Sequence, residues 1–275
     1  MADNRPIGIF DSGIGGLTIA RAVHELLPNE QMLFFGDTAH FPYGDKSGQA
    51  IRGYVNGISD FLLAKGCKAI LIACNSASAS AYDSIRKKDS AESPVINVID
   101  PVIDYLSRHS GYKTIGVIGT QRTISSGVYK RKIESSIPGM KVKSLATPLL
   151  APMIEEGFFN NNISQAVINS YLDKKRIGNI DALILACTHY PLIRKEIESY
   201  YAGKVAVLNP ANIIAGCAQK RLKEQGLEAA GKQAEGHQFF VSDYTQSFQK
   251  TSQLFFGEEI RLEECRIWQE KAGRF

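Results

Sequence analysis

The sequence predicts an α/β protein: two similar doubly wound parallel-sheet lobes, related by pseudo-two-fold symmetry, with the active site in the cleft between them. Three observations predict this. Short apolar, β-rich runs alternate with longer amphipathic stretches, the pattern of βα repetition and a parallel sheet. The series then restarts near mid-chain: Ile7-Gly8-Ile9 recurs as Ile115-Gly116-Val117, and Cys74 recurs as Cys187 at nearly the same offset. Each of those cysteines closes an apolar run, 69–73 and 182–186, that reads as a buried parallel strand. The carboxyl ends of such strands are where open α/β sheets place their ligands. Any two sets of α/β strands look partly alike, but the matched thiols favour a duplicated unit.

Strands are expected at 7–10, 31–35, 68–73 and 95–98. Helices are expected at 17–27, 48–65 and 77–87. In the second half, strands fall at 114–118, 142–145, 181–186 and 205–208, with helices at 125–135, 164–173 and 192–200. After Pro210 a helix runs to about 224. A polar stretch, a strand at 238–241, a helix at 245–255 and a strand-like run at 260–262 follow. This tail is too short for a domain and is expected to return to the first lobe. The domains are therefore 1–98 plus 210–275, and 99–209.

The 275 residues suffice for two lobes with real cores. Hydrophobic residues make up 44% and charged residues 22%, with a net charge of +4. No dense Lys/Arg block stands out, so no nucleic acid partner is expected. No apolar stretch reaches the roughly 18 residues of a membrane helix, so no membrane partner is expected either. Five scattered cysteines without CxxC spacing, and no secretory leader, point to a reduced, cytoplasmic protein.

Four stretches carry chemistry. Asp11-Ser12-Gly13-Ile14-Gly15-Gly16 follows the first strand, where glycines let backbone N–H groups approach an anion. A tight capped turn is the plainer reading, and the spacing is not a dinucleotide fingerprint. Gly36-Asp37-Thr38-Ala39-His40-Phe41-Pro42-Tyr43-Gly44 offers a carboxylate, an imidazole and a turn that closes over a ligand. In Cys74-Asn75-Ser76, the helix N-terminus is expected to draw the thiol's pKa down toward neutrality. In Cys187-Thr188-His189-Tyr190-Pro191, a Cys–His pair suits a nucleophile and base, a metal-ligand pair or an acid/base couple. Cys67, Cys217 and Cys265 read as packing residues.

Taken together, these four blocks resemble the bacterial glutamate racemase family in order and spacing, from the N-terminus to about Pro210. The resemblance implies a cofactor-independent enzyme that interconverts L- and D-glutamate and supplies D-glutamate for peptidoglycan. It implies that Cys74 and Cys187 are the two acid/base thiols, assisted by Asp11 and His189. Substrate-binding roles fall on Asp11, Ser12, Tyr43, Gly44, Asn75, Ser76, Thr188 and His189. Asp37 and Glu155 become auxiliary polar groups, and Thr120 and Thr123 pocket residues. A homodimer is the family expectation, with glutamate as the small-molecule partner and no metal. The chain departs at Ser76, where the family commonly has Thr, and at Thr147, where a Cys is frequent.

The chemistry fits this reading. Removing an α-proton without a cofactor leaves a poorly stabilised carbanion, so one thiolate must abstract while a thiol on the opposite face donates. Three competitors remain at this point: a related racemase or isomerase acting on aspartate, a hydantoin or maleate; a metalloprotein using Cys74, Cys187 and His189; and a binding module without turnover.

Overall fold

The computed structural model describes residues 2–109, 111–231 and 235–268. Strands β1 (Ile7–Asp11), β2 (Met32–Gly36), β3 (Ala69–Ile72) and β4 (Val95–Asn97) alternate with helices α1 (Leu17–Leu26), α2 (Gly48–Ala64) and α3 (Asn75–Ile85). Helix α4 (Asp100–Arg108) leads to the second series. There β5 (Thr114–Gly119), β6 (Lys141–Ala146), β7 (Ala182–Ala186) and β8 (Ala206–Leu208) are interleaved with α5 (Gln121–Ser125), α6 (Val128–Ser136), α7 (Leu150–Glu155), α8 (Asn162–Leu172) and α9 (Arg194–Tyr201). Helix α10 (Pro210–Glu224), β9 (Gln238–Val241), α11 (Gln246–Phe256) and β10 (Glu263–Glu264) complete the described chain.

All pairings are parallel, and the two sheets repeat one topology. The first has the order β10-β9-β2-β1-β3-β4 and the second β6-β5-β7-β8. In each, the first strand of the series lies between the second and third, and the fourth flanks the third. The register repeats as well: Ile7 pairs with Ala69 in the first sheet, and Ile115 with Ala182 in the second. Strands β9 and β10 extend the first sheet beyond β2.

The strands are continuous apolar runs because both faces of each sheet are covered. Along β1 and β3, side chains alternate between two cores. Ile7, Ile9 and Leu71 join a core that runs on into the second lobe, whereas Phe10, Ile70 and Ile72 pack with Ile51, Val55, Ile58 and Leu62 of α2. Those four α2 residues form one helical stripe. Ser47 starts the helix by accepting from the Ala50 N–H at 3.2 Å. Among the described residues no helix is long and apolar enough to cross a membrane.

Four expectations need correction. The helix expected at 125–135 starts only at Val128, behind the separate short helix α5, because Gly127 has φ +65° and the Ser126 hydroxyl takes the Val128 N–H, which breaks the ladder. The strand expected at 260–262 lies instead at Glu263–Glu264. The Gln249 side chain donates to the Ile260 carbonyl at 2.5 Å and accepts from the Leu262 N–H at 2.9 Å, which takes both groups from any ladder. Helix α4 was not expected; Asn97 Oδ1 starts it by accepting from the N–H groups of Ile99 and Asp100. Helix α7 is likewise missing from the expected element series above. Its Pro152 falls in the first turn, where a missing N–H costs no intrahelical bond.

Candidate active site

The two cysteines end equivalent strands and reach one cavity of about 180 Å³. That room suits a small metabolite. From the first lobe it is lined by Ser12, Tyr43, Gly44, Cys74, Asn75 and Ser76. The second lobe contributes Thr120, Glu155, Cys187, Thr188 and His189. Of the residues singled out in the sequence, Asp11, Asp37 and Thr123 lie behind these walls. A wider groove of about 740 Å³ beside α4 and α10 holds none of them, so the chemistry belongs to the smaller cavity.

Cys74 caps α3. Its Sγ accepts from the Ala77 N–H at 3.4 Å and donates to Ser12 Oγ at 3.5 Å. The expected drop in its pKa does not occur. Burial and the nearby Asp11 carboxylate push the thiol up to about 12, against the opposing pull of those hydrogen bonds. Loss of solvation outweighs the dipole of an eleven-residue helix. Cys74 is therefore held as the thiol.

Cys187 has different surroundings. Its Sγ lies 3.6 Å from His189 Nδ1, and His189 Nε2 lies 2.6 Å from Glu155 Oε1. Burial alone would lower the His189 pKa, but the contacts with Cys187 and Glu155 raise it well above the ordinary histidine value. Two thiols at matching positions thus meet unlike neighbours: a carboxylate and hydroxyl at Cys74, an imidazole backed by a carboxylate at Cys187.

The glycine-rich turn after β1 serves packing. The Gly13 N–H donates to Asp11 Oδ2 at 3.1 Å, so the anion it meets is the chain's own. A Cβ on Gly15 would collide with the His189 ring and lie 2.7 Å from Thr188 Oγ1; one on Gly16 would lie 2.5 Å from the Asp11 Cβ. Gly15 lets the first lobe press against the Cys187 turn, whereas Gly16 lets the loop fold back onto Asp11 and Ala73 of its own lobe. Burial raises the Asp11 pKa, with the charge of His189 the strongest opposing influence.

Hydrogen bonds between lobes hold the cavity walls. The Ser76 and Thr120 hydroxyls lie 2.8 Å apart, with Thr123 Oγ1 behind them at 3.4 Å from Ser76 Oγ. Thr18 Oγ1 donates to the Thr188 carbonyl at 2.9 Å. The Tyr129 hydroxyl reaches Asn75. Neither Thr18 nor Tyr129 was singled out in the sequence, and no local pattern marks them, because each matters only to a residue far along the chain. Thr147 also lines the cavity, its hydroxyl 2.7 Å from that of Tyr190. Asp37 is fully buried and accepts from the Tyr43 hydroxyl at 2.5 Å. Among the described residues, no three His, Cys, Asp or Glu side chains gather as a metal-binding group.

Residues 17–218 match the model of the Asp/Glu/hydantoin racemase family. A glutamate racemase of Chlorobaculum parvum is 38% identical over 255 residues, covering 93% of each chain. The crystal structure of a glutamate racemase from Francisella tularensis in complex with D-glutamate superposes with a TM-score of 0.89 at 38% identity, covering 96% of this chain and 98% of that one. An aspartate racemase of Picrophilus torridus shares the fold alone, with a TM-score of 0.56 at 19% identity over 81% of this chain and 94% of that one.

Proposed function

This chain belongs to the Asp/Glu/hydantoin racemase family, and from that membership we propose that it interconverts L- and D-glutamate, without a cofactor, by proton transfer between Cys74 and Cys187. The observation that carries this reading is the pair of thiols at equivalent strand ends, one from each lobe, on one cavity sized for a small molecule. A single base returns a proton to the face it came from. Two bases from opposing lobes invert the centre.

The step balances simply. The base on one side takes the α-proton and its C–H electron pair stays on the α-carbon. The opposite thiol then delivers its own proton to that carbon and becomes the thiolate. Cys74, held as the thiol, is the donor when the α-proton faces Cys187. His189 and Glu155 keep a proton within reach of Cys187. For the other enantiomer the roles reverse. Ser12, Asn75, Ser76 and Thr188 supply hydrogen bonds to the substrate, and negative charge growing on its α-carboxylate meets donors already fixed in place. Tyr43 and Gly44 shape the wall beside them. The product D-glutamate would serve peptidoglycan synthesis in the cytoplasm, and the working unit would be a homodimer.

Circular dichroism of L- and of D-glutamate solutions, with enzyme and no added cofactor, tests the reading. Both signals should decay to zero. Decay with aspartate alone would assign the chain a different substrate.

A further inference from the structure

Asp37 follows β2 and is fully buried, yet among the described residues no lysine or arginine hydrogen-bonds or ion-pairs with it. Four side chains converge on it: the Tyr43 hydroxyl at 2.5 Å, Trp268 Nε1 at 2.7 Å, Ser242 Oγ at 2.9 Å and His40 Nδ1 at 3.0 Å. A carboxylate, which only accepts, satisfies all four as donors. Two of the partners lie 205 and 231 residues further along, in the tail after β8.

Trp268 sits in a cage built for it. Its ring lies edge-on to His40 at 4.9 Å and to Tyr54 at 5.7 Å, while His40 stacks on Tyr54 at 4.0 Å. Helix α2 presents Gly57 beneath the indole, where a Cβ would come within 2.8 Å of Cζ3. Tyr54 also meets Tyr43 at 5.5 Å. Tyr43 lines the cavity that holds both thiols. An unbroken path of contacts therefore joins the tail to the cavity wall.

We propose that Trp268 is a positioning residue: its indole N–H holds Asp37, Asp37 holds the Tyr43 hydroxyl, and Tyr43 with Gly44 forms one wall of the substrate site. The tail is then a strap behind the loop 37–45, and the described chain beyond β9 contributes to turnover without touching substrate. The role of that wall rests on the glutamate reading above; the strap itself does not.

The test is Trp268→Phe, which keeps a ring in the cage and removes the N–H. The KM for L-glutamate should rise about tenfold while kcat stays within about twofold, the scale of one lost hydrogen bond to a charged group. In a Tyr43→Phe background the same substitution should add nothing, because the path is already cut. Ser242→Ala removes a second donor to Asp37 without opening a large cavity and should behave the same way, more weakly. It carries the test if Trp268→Phe does not fold. Hydrogen exchange, which needs no substrate, should speed up at residues 38–45 and stay unchanged in β5 through β8. An unchanged KM with unchanged exchange, or an equal effect in the Tyr43→Phe background, would overturn the proposal. Loss of the glutamate reading alone would show as an inactive wild type in which Trp268→Phe still loosens residues 38–45.

Discussion

The Tyr129 hydroxyl on α6 donates to Asn75 Oδ1 at the start of α3, 2.7 Å away. The two residues belong to different lobes, and the bond is buried. Burial also keeps the phenol protonated, its pKa held well above the ordinary tyrosine value. With Oδ1 occupied, both Nδ2 donors of Asn75 remain for the substrate carboxylate of the proposed reaction.

Tyr129→Phe should therefore raise the KM for glutamate by roughly five- to tenfold with a smaller change in kcat, the scale of one hydrogen bond lost from a buried polar group. Initial rates across a substrate range check this. An unchanged KM would mean that packing alone orients the amide.

Cys74→Ser and Cys187→Ser should each lower racemisation by roughly 10²–10⁴-fold, since each removes one of two proton carriers. The wild type in deuterated water should place solvent deuterium on the α-carbon of the product. Near-normal turnover in either variant would sink the two-base mechanism.

The fold class and both thiols were legible because buried parallel strands are continuous apolar runs, and a cysteine closing each is a local signal. The protonation state of Cys74 was not. It depends on Asp11 and on burial by residues from across the fold, neither of which the α3 segment reveals. Tyr129 and Thr18 were equally hidden, since a lone tyrosine or threonine on a helix acquires its role only from a partner 54 or 170 residues away. Helix α7 has only six residues, too few to show a helical period in the sequence. The strand after α11 begins beyond its apolar run because a glutamine side chain captures the backbone of Ile260 and Leu262.

Glu155→Gln should move the alkaline limb of activity toward lower pH. His189 has a raised pKa in the folded protein, so its charged contacts are fully present below about pH 6.5, the ordinary value, and are lost as pH rises through the raised value. Removing the Glu155 charge removes one cause of that elevation. Profiles of kcat/KM against pH for the two proteins decide the matter; coincident alkaline limbs would show that Glu155 does not hold the proton on His189.

Gly15→Ala should cost about 1–3 kcal/mol of stability, as overpacking does elsewhere. The new methyl group would drive into His189 and Thr188, so activity should fall further than stability alone explains. Urea unfolding alongside the racemisation assay separates the two effects.

The repeated register of the two sheets also bears on kinetics. The two thiols arrive at one cavity from matching strand ends but with unlike neighbours, so the two directions of the proposed reaction can differ in kcat and in KM separately. They cannot differ in the ratio. Mirror-image forms of one amino acid have equal free energies in an achiral solvent, so the equilibrium constant is unity and kcat/KM must be the same from either side. The asymmetry between an aspartate-flanked thiol and a histidine-flanked one can therefore set only how tightly each hand is held and how fast it is released. A scaffold of two similar halves that differ in chemistry remains bound to a symmetric outcome.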